Sequence, residues 1–219
     1  MFLSRFSQLI SNPMQIVYTL PGILIGLTVH EWAHAYVADR LGDPTAKNLG
    51  RMTLNPLAHI DIFGLLCLIL VGFGWAKPVP VNGRNFKNYR RDDILVSLAG
   101  IGMNLVTALL FSFVLYAGLM KWNLANNAAF VSIFYGIVLI NLSLAVFNII
   151  PISPLDGSHV LDSLFYRKIP KVCNFLHQYG QWILILLLFT GLLTNVLSSV
   201  VSVLFRGCSA VATAVIGLF

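Results

Sequence analysis

Residues 23–38 read ILIGLTVHEWAHAYVA. They close an apolar run at about 15–38, which exceeds the roughly 20 residues an α-helix needs to cross a bilayer. Two histidines and a glutamate sit in the last third of that run. His30 and His34 are four apart, so a helix places both imidazoles on one face, one turn apart. Glu31 lies beside them but points elsewhere, and it is the only glutamate in the chain. Three ionisable groups inside a lipid-embedded helix are costly unless each finds a partner or water. A bound cation satisfies all three. The pattern is HExxH: two histidines take adjacent positions on one Zn²⁺, and the glutamate holds a water as general base. The plainer alternative, two packing histidines with a paired carboxylate, leaves the solitary glutamate without a reason.

The composition agrees with a membrane setting. The chain is 58% hydrophobic and 10% charged, with mean hydropathy +0.83. A soluble domain carries about 25% charged residues, so a soluble reading would have to hide far too much apolar surface. The net charge of +6 reads as cationic loops on the cytoplasmic side. No stretch interleaves basic and aromatic residues as nucleic-acid modules do, and no nucleic-acid partner is expected. Cys67, Cys173 and Cys208 are too far apart for a thiolate site or a disulfide framework.

Further apolar runs lie at about 94–120, 129–150 and 180–205. A shorter one at 62–75, IFGLLCLILVGFGW, suits a re-entrant segment better than a crossing. It is followed by AKPVPVNGRN, which reads as an extended or hairpin loop. Loop 77–93 carries Lys77, Arg84, Lys87, Arg90 and Arg91, loop 151–179 carries Arg167, Lys168 and Lys171, and 121–128 carries Lys121 alone. The positive-inside rule then puts the two basic loops in the cytoplasm. The expected fold is an all-α polytopic membrane protein. It has about four transmembrane helices, a re-entrant segment or β-hairpin between the first and second, and both termini on the far side. The N-terminal MFLSRFSQLISNPM reads as a short interfacial segment. Residues 1–219 read as one membrane-embedded domain.

A zinc hydrolase site needs a third protein ligand and leaves its fourth position to water. His59, Asp156, His159, Asp162 and His177 are candidates. The stretch NIIPISPLDGSHVLD at 148–162 is the most suggestive. Its prolines break the preceding helix, and Asp156 before Gly157 could cap a new helix or turn inward as a ligand. Residue types alone leave that choice open. Asn104 and Asn141, inside helices, read as interhelical hydrogen-bonding groups, and Gly22 and Gly26 as a close helix-packing pair.

Together, VHEWAHAYVADRLGD, RMTLNPLAHID, SLAG with Asn104 beyond it, and FNIIPISPLDG resemble the site-2 protease family of intramembrane zinc metalloproteases. The likeness is to the small prokaryotic members without an appended soluble domain, and it covers nearly the whole chain. The resemblance implies one zinc per chain, held by His30, His34 and Asp156, with Glu31 as catalytic base. It implies that Asn148 holds the substrate backbone or the oxyanion, and that His59 faces the site and stabilises the tetrahedral intermediate. The implied partners are transmembrane segments of membrane-protein substrates and the lipid bilayer. The implied location is the prokaryotic inner membrane, as a multi-pass protein. Whether His159 joins the metal shell and whether two copies form a homodimer stay open. Two rival readings are a divalent-metal transporter and a non-catalytic metal-binding membrane protein. The 62–88 hairpin is also expected to offer a strand edge to an unwound substrate.

Overall fold

A computed structural model describes residues 14–70 and 74–218; the interfacial segment expected at the N-terminus lies outside the described residues. Five helices among them are long and apolar enough to cross a membrane. These are α1 (Met14–Arg40), α4 (Tyr89–Met120), α5 (Ala128–Asn148), α7 (Pro170–Phe189) and α8 (Leu192–Ile216). Between them lie the short α2 (Thr45–Asn48), α3 (Ile62–Leu70) and α6 (Asp156–Phe165).

Three helices form the frame. α1 and α5 run side by side in the same direction. Gly22 of α1 faces Ile140 and Gly26 faces Leu144, the close pairing expected of small residues four apart. α4 runs against both. Its Gly118 meets Phe130, Phe111 packs near Phe134, and Asn104 reaches Asn141. Polar starts fix the ends: Asn88 caps α4 by accepting from the Arg91 N–H, while Asp92 accepts from the Asn88 N–H. Asn127 caps α5 in the same way.

The run expected at 180–205 is not one helix. It breaks at Thr190–Gly191, where Gly191 adopts φ +74°, a left-handed conformation that suits glycine and ends α7. The helix that continues, α8, packs on the frame. Val201 shares a core cluster with Ala108 of α4 and with Val138 and Leu142 of α5. Seven residues on, Cys208 lies beside Ser112 of α4, so α8 runs in the same direction as α4. α7 precedes it. Besides α8, it contacts α6 and the loop before it: His177 pairs with Asp162, Asn174 accepts from the Tyr166 hydroxyl, and Gly180 lies against the Ser153 carbonyl. The first half of α7 therefore lies at the end of the bundle where α4 begins and α5 stops.

α3 enters and the chain comes back beside it. A Cβ on Gly64 would lie 2.1 Å from the Trp75 carbonyl oxygen, so only glycine allows this approach. Ile60 and Ala76 form an antiparallel bridge, and the Lys77 N–H donates to the His59 carbonyl at 2.8 Å. Among the described residues the expected hairpin is represented by that single bridge.

The extended stretch after it is strapped down by side chains. Arg51 donates to the Lys77 and Pro78 carbonyls. α1 ends in a Schellman turn: Gly42 has φ +106°, and the Asp43 N–H donates back to Ala38. The turn delivers Asp43 to a fully buried position. Its carboxylate accepts from the Asn82 N–H at 2.6 Å and from the Asn85 amide at 2.7 Å, and also from Thr45. Burial opposes its ionisation, but these hydrogen bonds outweigh burial and hold its pKa below the ordinary value.

Because that pKa is lowered on folding, its contribution is present above the unfolded carboxylate value, near about 4, and fades as pH falls below it. Asp43→Ala should cost about 3 kcal/mol at neutral pH and less in acid. Denaturation of the purified chain at both pH values, with protease sensitivity of 77–88 alongside, checks this.

Candidate metal centre

The i, i+4 spacing on α1 sets His30 and His34 edge to face, with ring centroids 4.5 Å apart. Their Nε2 atoms are 3.0 Å apart. Asp156, the first residue of α6, brings one carboxylate oxygen to 3.1 Å from His30 Nε2 and 3.3 Å from His34 Nε2. Leu155, not Asp156, stands at the N-cap of α6, and the Asp156 side chain takes the inward alternative. The three ligand atoms all lie within 4.8 Å of one another.

Two glycines allow this convergence. On α4, a Cβ at position 100 would stand 2.5 Å from His34 Nε2 and 2.7 Å from the His30 ring; the SLAG glycine is the floor on which both imidazoles lie. After Asp156, a Cβ on Gly157 would be 2.3 Å from the Ile149 carbonyl and 2.5 Å from that of Ile150. The glycine following the aspartate thus lets α6 start directly against the end of α5.

The donor set suits a metal cation. His34 Nδ1 lies 2.8 Å from the Val96 carbonyl and His30 Nδ1 2.7 Å from the Asn104 carboxamide oxygen. Both partners accept, so each neutral ring carries its proton on Nδ1 and turns a bare Nε2 lone pair inward. Two lone pairs and a carboxylate oxygen then converge, and that oxygen of Asp156 is buried without a well-formed hydrogen bond. Such a set repels itself unless a cation stands among it. Three nitrogen and oxygen donors match the protein ligands of a catalytic zinc site.

Glu31 is buried beside the triad, and one of its oxygens accepts from the Val79 N–H at 2.7 Å. Sequence reading missed this partner. A backbone N–H carries no residue-type signal, although Val79 lies between Pro78 and Pro80, which have none. Val79 is thus the one donor in that triplet, and it is already used on Glu31. The stretch 78–80 offers acceptors only, which removes the donors a substrate strand would need from it.

The remaining candidates lie elsewhere. His159 is more than half exposed, with Nδ1 3.8 Å from Asp93, so among these candidates only Asp156 lies against both histidines. His177 and Asp162 pair with each other at 2.6 Å. Asn148 ends α5 and donates back to the Leu144 carbonyl at 3.0 Å. His59 is fully buried, with Nε2 2.8 Å from the Thr53 carbonyl, and Nδ1 has no hydrogen-bond partner. Among the described residues neither Asn148 nor His59 bonds to the triad or to Glu31.

An all-helical bundle with two histidines and an aspartate converging inside it, and a carboxylate alongside, is a membrane-embedded metallohydrolase. Comparison with known proteins specifies it. Residues 117–190 match the family model described as peptidase family M50. The chain is 39% identical over 184 residues to YwhC of Bacillus subtilis, which bears a zinc metalloprotease name; the match covers 82% of this chain and 84% of that one. It is 31% identical over 186 residues to Rip2 of Mycolicibacterium smegmatis, also named as a zinc metalloprotease, covering 82% and 69%. No solved structure matches. The chain belongs to peptidase family M50, the site-2 protease family, and is a zinc-dependent intramembrane protease and a multi-pass membrane protein.

Replacing Asp156 by Ala should reduce zinc retained by the purified chain at least tenfold, whereas His159→Ala should leave it unchanged. Metal analysis after dialysis against a weak chelator reads both.

Proposed function

We propose that this chain cuts peptide bonds in transmembrane segments of other membrane proteins, with Glu31 as the general base. The observation that carries the reading is the position of Glu31. It directly follows a ligand, is buried with the triad, and has one oxygen fixed by Val79 while the other is not. His30, His34 and Asp156 would hold one zinc per chain, which when bound would supply a Lewis acid for a carbonyl and for water. The fixed oxygen orients the carboxylate. The other accepts the proton of the attacking water and returns it to the leaving amine. Asn148 and His59 complete the proposed site as hydrogen-bond donors toward the substrate carbonyl, His59 only once its Nε2 proton leaves the Thr53 carbonyl or Nδ1 is protonated as well. For Asn148 that requires release of its bond to Leu144.

A helical substrate hides its carbonyls in hydrogen bonds, so it must unwind before attack. His34 lies six residues before Arg40 at the end of α1, about 9 Å at 1.5 Å per residue. Water has that distance to travel from the basic, cytoplasmic face. In the topology that helix directions support, α1, α4, α5 and α8 cross the membrane, while α3 and α7 enter and return on the cytoplasmic side. This gives four crossings, the last at 192–216 rather than 180–205. The inner membrane of a prokaryotic cell is the proposed location, and the chain works as one membrane-embedded unit.

Glu31→Gln should lower cleavage of a membrane-protein reporter by roughly 10²–10⁴-fold while zinc stays bound. Undiminished cleavage would remove Glu31 from the base role. Zinc accumulation inside proteoliposomes without proteolysis would favour transport instead.

A further inference from the structure

We propose that Asn141, which touches no metal ligand, sets through Asn104 which nitrogen of His30 is free for the metal. The inference rests on the reading of His30, His34 and Asp156 as a metal site.

The chain of contacts has one consistent assignment. The Ile137 backbone carbonyl can only accept, so the Asn141 atom 2.8 Å from it is the amide nitrogen. The carboxamide oxygen of Asn141 then faces Asn104, and the atom it meets at 3.0 Å must donate. That same Asn104 nitrogen faces a second pure acceptor, the Gly26 carbonyl, also at 3.0 Å. Both of its protons are committed. The Asn104 oxygen is left to face His30 Nδ1 at 2.7 Å, and it can only accept. His30 therefore carries its proton on Nδ1, and the lone pair sits on Nε2, the atom beside Asp156 and His34.

Both asparagines are fully buried. Turning either amide over would place two acceptors, or two donors, face to face without water to relieve them. His34 is treated differently: its Nδ1 rests on the backbone carbonyl of Val96, which no substitution can remove. One ligand is thus oriented by backbone and the other by a two-residue relay anchored on α5 and α1. Partners of this kind commonly govern ligand orientation and metal affinity. Asn104 and Asn141 are positioning residues. A role limited to helix association predicts the same burial but no effect on the metal.

Two measurements on the full-length chain in detergent test the relay. Zinc affinity is measured by chelator competition in wild type, Asn104→Ala, Asn141→Ala and the double variant. Asn104→Ala should weaken zinc roughly 10–100-fold, and Asn141→Ala about 10-fold. Adding Asn141→Ala to Asn104→Ala should change affinity no further, because the relay is already cut. Separate additive losses, or a fall in thermal stability with affinity unchanged, would overturn the relay. The second measurement needs no variant. Long-range ¹H–¹⁵N spectra of the zinc-free wild-type chain should show neutral His30 with the proton on Nδ1. A proton mainly on Nε2 would overturn the relay even where the alanine variants do not fold. A wild-type chain that binds no zinc strikes at the metal-site reading instead, since the tautomer is read without metal.

Discussion

Two imidazole lone pairs and a carboxylate are forced together inside a bundle of apolar helices, and the rest of the structure follows from making that tolerable. The outer nitrogens of both histidines and one oxygen of Glu31 have assigned partners. Val96 and Asn104 take the outer nitrogens of the histidines, and Val79 takes one oxygen of Glu31. What is left pointing inward is a set of donors complementary to a cation. In water such a cluster could relax by hydration or protonation. Within a bilayer an unmatched polar group has few alternatives, so the geometry of the outer partners dictates the geometry of the inner ones.

The site is built from pieces with different kinds of support. His30 and His34 belong to the α1–α4–α5 frame, where helices meet at glycines and share buried asparagine bonds. Asp156 arrives on the short α6, which is tied to α4 through the Ser163 hydroxyl on Asp93 and to α7 through His177. Glu31 is restrained by an extended stretch that owes its place to Arg51 and Asp43, far from the metal ligands in sequence. Asp43 therefore has a functional consequence without any chemistry of its own. Loosening 82–85 would loosen the stretch that carries Val79, and with it the hold on Glu31.

What could be read from sequence divides along the range of the interaction. The His30–Glu31–His34 arrangement is local, since helical spacing alone places the two imidazoles on one face. The apolar runs of α1, α4 and α5 are equally local, and their extents were nearly right. Asp156 is distant, and residue types left it competing with a capping role; the family resemblance singled it out, and the three-dimensional contacts bring it to both histidines. The break at Gly191 was hidden because a single glycine in a long apolar run leaves mean hydropathy almost unchanged. The Val79 bond was invisible because a backbone N–H is common to nearly every residue. Asn104 and Asn141 were legible as polar groups joining helices, but not as a chain of contacts that ends on His30, since that requires knowing which faces meet.

Those two asparagines also bear on why a protease of this kind can be assembled from so few polar residues. Helices in lipid gain little from hydrophobic attraction to one another, and close packing with buried hydrogen bonds must hold them together. A catalytic metal site has the complementary need: rigid, oriented hydrogen-bond partners behind its ligands. In this bundle one network meets both demands. The bond from Asn104 to Gly26 joins α4 to α1, and its bond to Asn141 joins α4 to α5. The oxygen left over faces His30. Helix association and ligand orientation are therefore not independent properties here, because the amide that fixes the imidazole is the same one that fixes the three helices around it.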